Sequence, residues 1–105
     1  MVKSIDEQDF ESEVLKSPVP TILDFWAEWC GPCRQMSSIL EEVSHEMEGK
    51  VKIVKINIDD NPNLPTQFGV RGIPTLIIFK DGKKVDTKVG VSPKSELIQW
   101  INNTI

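Results

Sequence analysis

Only two cysteines occur in the chain, Cys30 and Cys33, with Gly31-Pro32 between them. A disulfide across so short a loop is a weak brace: loop entropy gives about 2 kcal/mol, against about 4.7 kcal/mol for a loop of about a hundred residues. A structural zinc site wants four Cys or His ligands, and only His45 could join the two sulfurs. His45 also lies off the apolar stripe carrying Met36 and Leu40, which suits a solvated helix position. A Cys/His hydrolase meets the same shortage, because no other imidazole is present to activate a nucleophile. Thiol/disulfide exchange is the chemistry that remains, and it needs no bound cofactor.

The exchange requires a helix that starts at the pair. Helix N-termini carry partial positive charge and free amide donors, which favour thiolate over thiol, so Cys30 is the expected outer, exposed nucleophile. Cys33, one turn in on the apolar side, is the expected resolving thiol. The cycle runs from attack of Cys30 on a partner disulfide, through a mixed disulfide, to attack of Cys33 and release of reduced partner. Cys33, Met36, Leu40, Val43 and Met47 recur every three or four residues, which predicts a long helix ended by Gly49.

The strand that leads into the pair is Thr21 to Ala27, an apolar run broken only by Asp24, as in a strand buried on both faces. An unpaired buried carboxylate is costly, so Asp24 is either protonated or partnered, and Lys55 on the next central strand, Val51 to Ile58, is the candidate partner. Trp26 suits core packing that shields the site. An exposed Trp29 beside Gly31, Pro32, Gly72, Ile73, Val89 and Gly90 would make a flat apolar docking patch. Trp100 suits packing in the last helix, and Pro74, taken by itself, suits the first position of a strand.

The remaining elements complete an alternating α/β order. Ser4 to Leu15 predicts a first amphipathic helix, stopped by Pro18 and Pro20. Asn61-Pro62 is a helix cap and first turn for a short helix ending near Gly69. Thr75 to Phe79 and Val85 to Val89 are strands joined through Asp81-Gly82, and Ser92-Pro93 caps a last helix carrying Leu97, Ile98 and Ile101. The order implies an α/β sandwich with a parallel crossover, then an antiparallel edge pair, and helices on both faces.

The chain of 105 residues has room for one domain, 1–105. Its 39% hydrophobic and 27% charged residues fit a cored globular domain. A net charge of -4 has the wrong sign for neutralising phosphates, so no nucleic-acid partner is expected. The longest apolar stretch, Leu76 to Phe79, is far short of the roughly 18 residues that span a bilayer, so no membrane partner is expected either. The N-terminus turns acidic by Asp6 without a signal-type apolar run, and a cytoplasmic location is the expectation.

Asp24-Phe25-Trp26-Ala27-Glu28-Trp29-Cys30-Gly31-Pro32-Cys33 resembles the active-site signature of the thioredoxin family, and Gly69-Val70-Arg71-Gly72-Ile73-Pro74-Thr75 resembles its second landmark. The resemblance runs the whole chain. It implies a three-layer sandwich with a central mixed five-stranded sheet flanked by four helices. It implies a protein-disulfide reductase and general electron carrier in redox homeostasis, working through Cys30-Cys33 without another cofactor. Its expected partners are disulfide-containing proteins and an NADPH-dependent flavoprotein reductase, and the chain is expected to be a monomer. Pro74 would follow a cis peptide bond against the two sulfurs and present the Ile73 backbone to substrate. Asp24 would take the Cys33 proton through water.

Two positions depart from the family pattern: Arg34 stands in place of a common Lys, and Ser38 in place of a proline that kinks the long helix, which should therefore run straighter. Gly31-Pro32 resembles the reducing branch of the fold; oxidases and isomerases usually carry a His before the second Cys. An oxidant or isomerase is the alternative within the same chemistry. A binding module using the apolar patch, with incidental thiols, is the alternative outside it.

Overall fold

The computed structural model describes residues 1–105. Five strands form one mixed sheet: β1 (Lys3–Ser4), β2 (Thr21–Trp26), β3 (Lys52–Asn57), β4 (Thr75–Lys80) and β5 (Lys83–Val89), in the order β1-β3-β2-β4-β5. β2 is central because both its faces are apolar: it pairs parallel with β3 and antiparallel with β4. The helices are α1 (Gly31–Glu46), α2 (Asn63–Gln67) and α3 (Lys94–Thr104). The expected α/β sandwich, with helices on both faces of a mixed sheet, is what the chain forms.

Alternation along the strands sorts the core into two layers. Ile22, Ile53, Leu76 and Ile78 meet Met36, Leu40 and Val43 of α1 and Leu97 and Ile101 of α3. Leu23, Phe25, Val54, Ile56, Ile77 and Phe79 point the other way, onto Phe10, Val14 and Leu64. Phe10, Phe68 and Phe79 close that layer with ring centroids 5.4 to 5.7 Å apart. Asp24 has the parity of Ile22, which sets it on the α1 side of the sheet.

The expected first helix, Ser4 to Leu15, is not one helix. Lys3–Ser4 is instead a two-residue edge strand paired with Val54 and Lys55. A 3-10 turn over Glu7–Asp9 follows, then a wide π turn over Glu11–Leu15. Backbone pairing to β3 removes the first residues from the helix, and the buried Phe10 and Val14 then hold two short turns against the sheet. These turns are the fourth helical segment of the layer arrangement.

The caps also shift. Pro62, not Asn61, precedes α2, and Asn61 is instead buried, donating to Asp6 Oδ1 at 3.2 Å and accepting from the Glu7 amide at 2.9 Å. The cap is supplied from afar, by the Glu7 carboxylate, which accepts from the Leu64 amide at 2.8 Å. Pro93 likewise sits one position before α3, where its missing N–H is harmless. β5 starts at Lys83 rather than Val85, because Asp81 and Gly82 both take positive φ, 53° and 78°, and make the turn with two residues. β5 is an edge strand with Lys83, Lys84, Val85 and Lys88 along it, and its pairing with β4 carries a register shift at Ile78/Phe79.

Candidate active site

β2 ends at Trp26, and four residues later Cys30 occupies the N-cap of α1, with Pro32 in the first turn. The Cys33 amide donates to Cys30 Sγ at 3.2 Å. One orphan donor of the helix N-terminus is therefore spent on the Cys30 sulfur, a placement that favours negative charge there when the bond is open. Cys30 and Cys33 are joined as a disulfide, with Cα atoms 5.2 Å apart. Gly31 and Pro32 lie exposed over the bond.

The expected exposed outer sulfur is not found in this disulfide form: Cys30 is 5% and Cys33 3% exposed. Both cysteines are buried with Ala27, and Trp26, Ile58 and Ile73 pack against this cluster. The two differ in surroundings instead. Cys30 Sγ lies 3.8 Å from the Ile73 carbonyl oxygen, beside the cis-proline turn. Cys33 faces inward, onto a pocket of about 80 Å³ shared with Asp24, Trp26, Arg34, Ser37 and Lys55.

Pro74 is buried and follows a cis peptide bond from Ile73, as the resemblance implied. Its carbonyl accepts from the Gly90 amide at 2.9 Å, which ties the end of β5 to the turn before β4. Gly72 and Val89 are thereby neighbours: a Cβ placed on Gly72 would stand 3.9 Å from Val89 Cγ1. Trp29 and Val89 are 67% and 66% exposed, large apolar side chains left in water. Trp29 is not loose, since its Nε1 donates to Asp59 Oδ2 at 2.9 Å.

Asp24 is 2% exposed, and its Oδ1 has no hydrogen-bond partner in the protein. Burial pushes its carboxyl up to about 7, against a weaker opposing pull from the Lys55 ammonium. Lys55 is its register partner on β3, yet no ion pair forms. The ammonium stands 4.9 Å over the Trp26 ring instead, where a cation–π contact replaces the expected pairing.

The structure brings Cys30, Cys33, Asp24, Lys55 and Trp26 together, and Gly72, Ile73, Pro74, Val89 and Gly90 meet at one end of the sheet. Sequence reasoning missed Ser37 on the pocket wall and Asp59 behind Trp29. Ser37 was findable from its spacing of four from Cys33, which places both on one helix face. Nothing local marks Asp59. His45 is exposed on the outer face of α1, and Ser38 lies in an unbroken helix.

A redox pair at a helix N-terminus, with a buried carboxylate behind it and a cis-proline in front, defines a dithiol/disulfide oxidoreductase. Residues 1–103 match the family model described as Thioredoxin. The chain is 52% identical over 105 residues to the thioredoxin of Rickettsia bellii (strain RML369-C), covering 100% of both chains. It is 53% identical over 104 residues to that of Haemophilus influenzae (strain ATCC 51907 / DSM 11121 / KW20 / Rd), covering 99% of this chain and 97% of the other. It is 50% identical over 104 residues to that of Rhodospirillum rubrum, covering 99% and 100%. The chain belongs to the thioredoxin family. It is a protein-disulfide reductase working through Cys30-Cys33, and the family carries no cofactor beyond that disulfide. Disulfide substrates and a reductase partner follow from membership. No helix is long and apolar enough to cross a membrane.

Proposed function

We propose that the chain acts as a single domain, 1–105, and as a monomer in the cytoplasm, keeping many proteins reduced and recharged by an NADPH-dependent flavoprotein reductase. Neither nucleic acid nor membrane takes part. Cys30 is the nucleophile and Cys33 the resolving thiol. Asp24, raised towards neutral pH by burial, is the base that takes the Cys33 proton, and Lys55 and Trp26 set its surroundings. Pro74 holds the Ile73 backbone beside the sulfurs, and a partner segment lies along Ile73 with Trp29, Gly72, Val89 and Gly90 around it. Gly31 and Pro32 leave the approach open. Pairing through backbone supplies affinity with little side-chain selectivity, which suits many partners.

The observation that carries this reading is the opposed placement of the two sulfurs. Cys30 Sγ lies 3.8 Å from the Ile73 carbonyl, and Cys33 lines the pocket of Asp24. The test is the midpoint potential of the Cys30-Cys33 couple, measured by counting free thiols in graded dithiol/disulfide buffers with zinc assayed alongside. A potential below that of the glutathione pool is expected. A strongly oxidising value would reverse the direction of electron flow and favour a disulfide donor. Stoichiometric zinc with no two-electron transition would remove the redox role.

A further inference from the structure

The wall of the inner pocket is chemically uneven. Besides Asp24 and Cys33 it is lined by Trp26, Arg34, Ser37 and Lys55. An indole, a guanidinium and an ammonium can donate hydrogen bonds to a carboxylate, but none accepts a proton from one neighbour while passing one to another. The Ser37 hydroxyl can do both. Among these lining side chains it alone, outside the reacting thiol and carboxylate, can serve as a link in a proton path.

Its position favours that use. Ser37 follows Cys33 by four residues on α1, and a helical side chain leans toward the N-terminus, which carries the hydroxyl toward the turn of Cys33. Helical hydroxyls often close back onto the carbonyl four residues earlier, as Thr66 does on Pro62 at 3.0 Å and Thr104 on Trp100 at 2.7 Å. The Ser37 hydroxyl makes no such bond and is left to the half-buried pocket wall. On that wall Asp24 Oδ1 and Trp26 Nε1 are buried without protein partners. The pocket of about 80 Å³ has room for several waters, at roughly 10–15 Å³ for each.

We propose that Ser37 is a positioning residue on the proton path from Cys33 to Asp24, a role that rests on the assignment of Asp24 as the base. During resolution of the mixed disulfide the Cys33 S–H bond breaks, and its proton passes through the hydroxyl, or a water the hydroxyl holds, to the Asp24 carboxylate. The sulfur's electron pair forms the Cys33–Cys30 bond while the Cys30–partner bond breaks. The departing partner sulfur keeps that bond's electron pair and takes a proton from solvent. The protein is oxidised by two electrons and the partner reduced by two.

The groups that set the pH dependence are Lys55 from β3 and Cys33 and Arg34 from α1; the β4 neighbour of Asp24 is the apolar Leu76. A hydroxyl donating to Asp24 favours its charged form, so removing the hydroxyl moves the rising limb of the pH–rate profile to higher pH.

The test mixes reduced protein with 5,5′-dithiobis(2-nitrobenzoate) and follows thionitrobenzoate release in two phases from pH 5 to 9. The first phase reports attack by Cys30 and the second resolution by Cys33. Ser37→Ala is expected to slow the second phase roughly tenfold near pH 7, a part of the 10²–10⁴ that positioned proton transfer supplies. The first phase is spared, and Ser37→Thr restores the second. Equal second phases in Ser37→Ala and wild type at every pH would overturn the proposal, as would a Ser37→Thr variant as slow as Ser37→Ala. Asp24→Asn is run alongside. If it is slow while Ser37→Ala is not, the serine path alone falls; if it is as fast as wild type, the base assignment falls and the path with it.

Discussion

Lys55 sits directly across from Asp24 in the β2–β3 register, yet its ammonium lies over the Trp26 ring, 4.9 Å from the centroid. The carboxyl therefore feels a positive charge without touching one. A direct ion pair would hold Asp24 ionised at all working pH and useless as an acceptor of protons. The offset leaves burial as the larger influence and sets the group near 7, where it can both take and return a proton.

That arrangement has a cost in stability that depends on pH. The folded protein holds the Asp24 proton up to about 7, whereas the unfolded chain releases it near 3.8. Between those values the folded state binds more protons, so stability falls as pH rises from about 4 to about 7 and is level above that. Asp24→Asn removes the difference. It should stabilise the protein at pH 8 by a few kcal/mol, up to about 4 at about 1.36 kcal/mol for each pKa unit, and far less at pH 4. Denaturant unfolding of the oxidised forms at both pH values checks this, and a pH-independent gain would refute it.

Cys33→Ser should accumulate covalent complexes with disulfide-bearing proteins, linked through Cys30, because the resolving thiol is gone. Non-reducing gels followed by mass spectrometry of the linked peptides would identify the joined cysteine. A folded variant that traps nothing, or traps through another site, would count against the order of attack.

Trp29→Ala should lower kcat/KM for a protein disulfide by roughly tenfold or more, in line with the loss of an exposed aromatic anchor. Reduction of a small aromatic disulfide, which has no segment to lay against Ile73, should change little. Parallel assays of the two substrates decide the matter: equal losses would place Trp29 in the chemistry rather than in docking.

The central elements were legible because their signals are local. The run from Thr21 to Ala27 is apolar on both faces, the α1 stripe repeats at helical spacing, and Asp81-Gly82 is a turn in itself. The N-terminus was misread because Lys3–Ser4 becomes a strand only through pairing with β3, about fifty residues away, and two residues carry no period. The α2 cap eluded local inspection for the same reason, since Glu7 reaches Leu64 across 57 residues. In the site, residue types were readable and orientations were not. Whether Lys55 turns to a carboxylate or an indole is a rotamer choice, and the cysteines' cluster is packed by Ile58 and Ile73, which are distant in sequence.

β5 runs along the open border of the sheet, with unpaired backbone groups on its outer side and Val85 46% exposed. Under the proposed function, a molecule that presses Trp29 and Val89 against many other chains could also recruit copies of itself along such a border. Lys83, Lys84 and Lys88, and the register shift at Ile78/Phe79, oppose this by setting like charges and a twist where a second sheet would dock. The side of the sheet thus carries charges that disfavour edge-to-edge pairing, while the large apolar side chains Trp29 and Val89 stand exposed away from them.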